Sequence, residues 1–472
     1  MAQVLSGSDL QRVLLEEVDP LLRMELNLRV IAMRLFKVKT AAISGKYWKV
    51  VAKYGGNFYG GGRPEANGTN KLPGMNANSS FQDRRAKLKT IELKFYRRAW
   101  YTTVDMSGWV RAAPQTDSGG FGNTGKMIIE DTVENLKEMM SARLASGQHS
   151  VHFRVAAGGV STNDIAVEPA SSNYPWAGNR MVREGMVFDF TTGSYFTALR
   201  TVAAGAKNRA RQVTAVSEDN SAPTVSFDDL GTAGVDNTIA ANDHAVMFDT
   251  RAESAISAGE YDDKCYQPMG IMDAINNSSD GQYTFSTYGG QTVSSNKVLD
   301  SIRVHNSGTL RVVSLDDFNL AYEKIEVDPN AGDRPNLIYT TPSVRRKFAS
   351  FLTPTTGNLG TTTNFRYNDI GRSNVNVGIP GVEITTLGAN GSMPLYADPL
   401  APHHRIYLAN TKTMMMLQDR APGFIDDDGQ TLRMMEGEDA FYAAWKAYTT
   451  GLMTWFRRRN GYIVDATGDH LS

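Results

Sequence analysis

Cysteine is all but missing from this chain. Cys265 is the single thiol in 472 residues, so no internal disulfide can staple the fold. Long apolar runs are missing as well: no stretch of about 18 consecutive apolar residues occurs, which excludes a helical membrane span. Neither sign of charge dominates, with 49 Lys and Arg against 50 Asp and Glu and a formal net charge of -1. Proteins that bind nucleic acid by neutralising many phosphates carry a standing excess of Lys and Arg, so only local basic patches remain open here. The N-terminal MAQVLSGSDLQRVLLEEVDP carries charge where a secretory signal needs an apolar core, and the chain is expected to fold in a reducing cytoplasm. The sequons at Asn67 and Asn78 therefore carry no weight.

Motifs that carry chemistry are scarce too. GxSxG, HExxH and CxxC are absent. His149 and His152 lie three apart and His403 and His404 are adjacent, without a Cys or carboxylate cluster at ligand spacing. Asp426, Asp427, Asp428 and Gly429 resemble a calcium loop, but in that register the first and twelfth ligand positions are Phe424 and Met435, so a solvated acidic turn is the better reading. In GFGNTGKM, Gly120, Gly122 and Gly125 match GxGxxG and most of a P-loop. Met127 stands where magnesium needs Ser or Thr, and a polar stretch with Pro114 precedes the motif where an apolar strand is required. Flexible entry into a helix fits better than a nucleotide site. Acid/base chemistry by dispersed carboxylates stays open from sequence, but no catalytic residue, cofactor or metal site is assigned.

What is present describes a folded protein. Gly (43) and Pro (17) occur at ordinary frequency, and the length suits about three domain-sized units. Over residues 9–36 the apolar residues Leu10, Val13, Leu14, Val18, Leu21, Leu22, Leu26, Val30 and Met33 recur at helical spacing, predicting amphipathic helices that pack on a larger body, either this chain or a neighbour. Residues 46–54 predict a strand and residues 87–104 a second, long one. Between them lies a Gly- and Asn-rich loop over 55–80 that cannot build a core, so the whole predicts an extended hairpin arm that gains stability only when something covers it. Residues 126–146 are the clearest helix, capped by Asn123 or Thr124, with Met127, Ile128, Val133, Leu136, Met140 and Leu144 on its apolar face. Short β-like runs (GMVFDF, RQVTAV, PTVSF, HAVMF) follow between 182 and 248. Beyond Met269 the pattern is α+β, with helices over 314–325 and from Pro342 and a strand at NLIYTT.

The stretch 84–98 holds Arg84, Arg85, Lys87, Lys89, Lys94, Arg97 and Arg98 against Glu92 alone. It reads as a solvated strand face, a nucleic-acid groove in which Phe95, Tyr96 and Trp100 stack on bases, or a strip that meets acidic residues of a partner. The partner reading is favoured, because complementary charge fixes the docking register of an arm that lacks a core.

The order of these elements resembles that of tailed-phage major capsid proteins of the HK97 fold. The resemblance rests above all on GVEITTLGANGSMPLYADPLAPHHRIYLANTKTMMML (381–417), DDGQTLRMMEGEDAFYAAWKAYTTGLMTWFRRRNGYIVDA (427–466) and the loop tip GRPEANGTNKLPG (62–74). It implies an α+β fold with an N-terminal helical arm (1–45), an extended β-hairpin loop (46–109), a peripheral domain (110–181) holding a long spine helix (126–146), a β-rich insert (182–250), an axial domain (268–408) and a C-terminal return to the peripheral domain (409–472). It implies a non-enzymatic shell subunit, in the virion after assembly in the host cytoplasm, that forms hexamers and pentamers around double-stranded DNA contacted weakly and without sequence specificity. Partners are then copies of itself, a separate scaffolding protein, a portal and possible decoration proteins. Candidate inter-subunit contacts are Arg63, Glu65, Lys71, Arg84, Arg85, Lys87, Lys89, Arg97 and Arg98. Lys71, Lys87 and Lys89 are available for the loop crosslink some members make, but none is expected. An encapsulin-like nanocompartment shell around a cargo enzyme is the nearest alternative, and a polysaccharide-processing enzyme a remoter one.

Overall fold

A computed structural model of the chain describes residues 31–41, 45, 47–56, 88–107, 124–146, 151–160, 163–171, 174–175, 178–191, 200, 211–217, 223–228, 239–247, 267–280, 287–327, 334–352, 382–385, 392–425, 431–434 and 440–467. The predicted helices before Ile31, the loop tip at 62–74 and the acidic turn at 426–428 lie outside them.

The described chain opens on α1 (Ile31–Leu35) and β1 (Lys37–Thr40), so the stretch 1–45 is not helical throughout. β2 (Tyr47–Gly56) and β3 (Leu88–Tyr96) then pair as an antiparallel hairpin, with Tyr47 opposite Tyr96 and Gly56 opposite Leu88. The single strand expected over 87–104 is two strands. It breaks at Arg97, and β4 (Arg98–Ser107) enters a different sheet, so the hairpin is shorter than 46–109. Burial drives the break: Phe95 stays beneath the hairpin while Trp100 enters the central core. α2 (Thr124–Ser146) is the long helix read from sequence, and Leu136, Met140 and Leu144 are buried along it. It starts early enough to place Gly125 and Lys126 in its first turn, not in a phosphate-binding loop.

β5 (Val151–Val160), β6 (Asp164–Val167), β7 (Val187–Thr191), β8 (Arg211–Val216), β9 (Thr224–Phe227) and β10 (His244–Met247) close a six-stranded antiparallel barrel in the order β10-β5-β6-β9-β8-β7. The β-rich segment expected over 182–250 therefore begins at Val151, drawing β5 and β6 from the stretch 110–181. Phe153, Phe188, Phe190 and Phe227 fill the barrel, Phe153 and Phe188 meeting edge to face with centroids 5.5 Å apart. A barrel this small is filled by side chains and leaves no edge strand.

α3 (Ile271–Ala274), β11 (Thr287–Tyr288) and β12 (Gln291–Thr292) connect the barrel to the C-terminal half. That half runs β13 (Ile302–Val304), α4 (Leu315–Val327), β14 (Leu337–Thr340), α5 (Pro342–Leu352), β15 (Val382–Thr385), β16 (Ser392–Ala397), β17 (Ile406–Ala409), β18 (Met414–Gln418), β19 (Gly423–Phe424), β20 (Leu432–Met434), β21 (Ala440–Thr454) and β22 (Gly461–Ile463). The helices start where local chemistry sets them. Ser314 Oγ accepts from Asp317 N at 3.3 Å while Asp317 Oδ2 accepts from Ser314 N at 2.9 Å, a reciprocal cap at α4. Thr341 Oγ1 accepts from Val344 N at 3.4 Å ahead of Pro342 at the first position of α5.

Two six-stranded sheets organise the rest. In sheet 1, β21 is the axis, pairing with β18, β19 and β20 along one edge and β4 along the other, and β1 lies parallel to β18. Sheet 2 has the order β13-β22-β17-β14-β16-β15. Residues 409–472 are thus not one return segment, since β18 to β21 build sheet 1 but β22 crosses back between β13 and β17. The central core joins α1, α2 and α3 to one face of each sheet through Met33, Met140, Trp100, Trp445, Tyr407 and Tyr462. The other face of sheet 2 packs against α4 and α5 through Phe318, Tyr322, Val344 and Leu408.

Candidate assembly surface

Strand alternation sorts the hairpin into two faces. Trp48, Ala52, Ile91, Leu93 and Phe95 point inward and share a cluster with Tyr288, Val293, Leu299, Leu417 and Met453. Polar ties reinforce it: Trp48 Nε1 donates to Ala41 O at 2.9 Å, Lys94 N to Gly289 O at 2.9 Å, and Gln291 Nε2 to Glu92 O at 2.9 Å. The expectation that the arm has no core of its own is therefore corrected for its base, which this chain covers. The outward face carries Tyr47, Lys49, Val51, Glu92, Lys94 and Tyr96. Tyr47 and Tyr96 meet edge to face at 5.8 Å, and Lys49 pairs with Glu92 at 3.2 Å. That pair is half exposed, and so contributes about 0–1 kcal/mol at most.

The hairpin base covers only part of the sheet beneath it. On sheet 1, Met453, Met415 and Leu417 lie under the hairpin cluster, while the opposite face of the sheet, with Trp445, Ala447 and Trp100, enters the central core. Beyond the bulge near Gly451 the hairpin side of the same sheet continues with Tyr442, Ala444, Lys446 and Tyr448 on β21 and Ala99, Tyr101 and Thr103 on β4. No described element covers this part. Tyr101 is 56% exposed. Arg97 stacks over Tyr448 at 4.7 Å and reaches Asp419 at 3.2 Å, and Arg420 lies 5.7 Å from the same ring. Among the described residues no strand pairs with β4 on the edge away from β21. The surface is aromatic and cationic, continuous with a covered half, and bounded by β4, the last strand of the sheet among the described residues.

Of the residues singled out in the sequence, Arg97 lies on this surface. Arg98 does not: it is 5% exposed, turned inward opposite Thr449, and the expectation that it meets a neighbouring copy is corrected. A one-residue step along a strand reverses the face, so consecutive arginines cannot share a surface. Lys89 pairs through its backbone with Gly55. Arg63, Glu65, Lys71, Arg84, Arg85 and Lys87 lie outside the described residues. Sequence reasoning missed Tyr101, Lys446, Tyr448 and Arg420. The alternation in AWKAYTT was the available signal for two of them.

The remaining groups of chemical interest lie away from this surface, most of them buried. His152 is buried with its ring 3.0 Å from the Arg143 guanidinium. His404 is buried, and its Nδ1 lies 2.9 Å from Ala466 O. Burial raises the Asp398 carboxyl above its ordinary range, although the Tyr339 hydroxyl donates to it at 2.6 Å and Leu400 N at 2.9 Å. Burial also lowers Arg180, which donates to Ala401 O at 2.6 Å, to about 10. Asp398 is 2% exposed. Among the described residues no group of three or more His, Cys, Asp or Glu is placed to hold a metal ion.

No family model matches the chain, and no curated protein matches it. Solved structures do. The chain is similar to the cyanophage A-1(L) capsid asymmetric unit, at 12% identity over 93% of both chains with a TM-score of 0.45. It is similar to the capsid of a native GTA particle, at 6% identity over 93% of this chain and 91% of that one with a TM-score of 0.39. It is also similar to the SrpI encapsulin of Synechococcus elongatus PCC 7942, at 8% identity over 93% and 87% with a TM-score of 0.38. At such identities and scores, function has to be read from this chain's own residues.

Proposed function

We propose that this chain is a non-enzymatic shell subunit with the HK97-type capsid fold, a major capsid protein that self-assembles into hexamers and pentamers around packaged double-stranded DNA. The observation that carries the reading is the half-covered face of sheet 1. A hairpin base of the same chain buries one half, and among the described residues no element lies over the other half or pairs with β4 beyond β21. Residues 57–87 join the two hairpin strands, and about 15 residues of any chain can span at most roughly 50 Å, a reach sufficient for a contact with a neighbouring copy. Obligate interfaces of this kind bury about 2,000–5,000 Å² and hold each subunit through several neighbours at once. A net charge of -1 suits a shell whose subunits must not repel one another and whose DNA is held loosely. A separate scaffolding protein and a portal complete the set of partners, with decoration proteins as optional additions, and the assembled chain resides in the virion.

Deleting residues 57–80 tests this reading. The variant is expected to remain a soluble, folded subunit by circular dichroism, and negative-stain microscopy is expected to find no closed shells where the intact chain forms them. Shells of unchanged number and stability would remove the hairpin from assembly. Shells of the intact chain that enclose protein and exclude DNA would favour the nanocompartment instead.

A further inference from the structure

The barrel is attached to the rest of the molecule in two places. The chain enters it at Val151 and leaves after Met247, and Val151 lies opposite Val246, so both ends meet at one neck. The central core takes only Val151 and Val246 from the barrel strands, and it shares no residue with the Phe-rich barrel cluster. None of the described barrel strands makes more than sparse contact with a strand or helix outside the barrel.

The second attachment is the connection between β6 and β7, residues 168–186. Its later part rides on the barrel: Val182 belongs to the barrel cluster, Asn179 Nδ2 donates to Ser217 O, and Gly185 N donates to Val213 O at 2.8 Å. Among these barrel contacts two arginines turn the other way. Arg180 reaches the turn between β16 and β17, donating to Pro399 O, to Leu400 O at 3.4 Å and to Ala401 O at 2.6 Å. Arg183 pairs with Glu138 of α2, and Pro175 O accepts from His403 N at 2.6 Å. The turn that receives Arg180 is held in place by Asp398, which accepts from Leu400 N at 2.9 Å and from the Tyr339 hydroxyl at 2.6 Å.

Contacts between units of one chain permit relative motion unless the shared surface is large and apolar. Here the apolar share from the barrel strands is confined to the neck, and the other attachment is fastened by hydrogen bonds and an ion pair. We propose that the barrel is a rigid arm hinged at the neck, and that Arg180 is the latch that locks it against the turn at 399–401. The proposal concerns one subunit and stands apart from the shell reading. Asp398 is a positioning residue for the latch, since it fixes the turn whose carbonyls Arg180 uses. Releasing Arg180 leaves the barrel cluster and the central core whole, so the arm reorients without unfolding.

Arg180→Met keeps a long side chain and removes the guanidinium, and native-state hydrogen exchange of the full-length, unassembled subunit reads the result. Losing hydrogen bonds from a charged donor shifts a local opening equilibrium by about tenfold or more, so the His403 amide, bonded to Pro175 O, is expected to exchange at least about tenfold faster. Amides within the barrel, such as Val167 bonded to Pro223 O, and within sheet 2, such as Asn336 bonded to Ala409 O, are expected to keep their rates. Spin labels give the geometry. With Cys265→Ser as background, labels at Thr214→Cys on β8 and Glu134→Cys on α2 are expected to show one narrow distance when Arg180 is present and a broadened or second one in Arg180→Met. Faster exchange throughout the barrel and sheet 2, or an unchanged distance distribution, overturns the hinge and makes Arg180 merely structural. If Arg180→Met fails to fold, Arg180→Lys, which keeps the cation and loses the fork, is read the same way. Failure of both to fold also overturns the proposal, because a latch is released without unfolding.

Discussion

Replacing Gly451 by alanine probes the point where β21 crosses Met269. Gly451 has φ +76°, and an added Cβ would lie 2.2 Å from both the nitrogen and the oxygen of the Met269 backbone. Ordinary contact begins at 3.4 Å, so the two backbones must part by more than an ångström. The hydrogen bonds from Met269 N to Thr450 O (3.2 Å) and from Leu452 N to Met269 O (2.8 Å) are lost as they separate. A left-handed backbone costs a non-glycine residue about 1–2 kcal/mol, and each buried backbone group left unmade costs about 1–3 kcal/mol, so Gly451→Ala is expected to lose about 4 kcal/mol or more. Gly290 isolates the conformational part. Its φ is +74°, but nothing lies within 4 Å of an added Cβ, so Gly290→Ala is expected to lose only about 1–2 kcal/mol. Urea unfolding of the two variants as unassembled subunits, followed by far-UV circular dichroism, measures both. Equal losses would refute the reasoning, because the two sites share nearly the same positive φ and, of the two, Gly451 alone meets a neighbouring backbone.

Three further outcomes are expected. Trp48→Ala empties the cluster under the hairpin and removes the bond to Ala41, costing about 3–5 kcal/mol, and limited proteolysis is expected to cut near residues 47–96 sooner; cleavage at the intact chain's rate would count against packing at the base. Arg405 meets Asp280 at 2.7 Å with both side chains buried, and Arg303 reaches the same carboxylate at 3.5 Å, so Arg405→Ala is expected to cost about 3 kcal/mol by leaving the buried carboxylate only the longer contact, and Arg405→Met with Asp280→Leu clearly less; equal losses in denaturation would exclude the weakened charge pairing as the cause. His404 lies below the ordinary histidine range because burial disfavours its cation. The unfolded chain then takes the proton more readily, so the stability His404 contributes is present above about pH 6.5 and fades as pH falls below it, and His404→Gln should flatten the melting temperature across that window; an unaltered slope would assign the acid sensitivity elsewhere.

Much of the secondary structure was legible because its signals are local. α2, α4 and α5 announce themselves through caps and periodicity, and RQVTAV and NLIYTT through alternation and β-branched residues. The errors arise where long-range pairing decides. Nothing within residues 87–104 marks the change of sheet at Arg97, since the partners that draw β4 away lie some 340 positions later in β21. DIAV is too short to read as a strand, yet it closes the barrel between β5 and β9. The candidate surface was half legible. A basic run identified Arg97, but alternation turns Arg98 inward, and Tyr101, Lys446 and Tyr448 come together only when β4 lies along β21.

β21 also bears on how the chain is made. Its residues are the fifteen from 440 to 454, yet they complete a sheet whose other strands begin at Lys37, and few pairings in the molecule join such distant positions. Contacts this remote along the sequence are slow to form, because a very large loop must close before any of them is rewarded. On the ribosome, the barrel can condense as soon as its strands emerge, whereas sheet 1 must wait until Thr454 at the end of β21 has been synthesised. Until then the apolar undersides of β4 and α2 stand exposed, and that nascent interval is when the chain has most need of a chaperone.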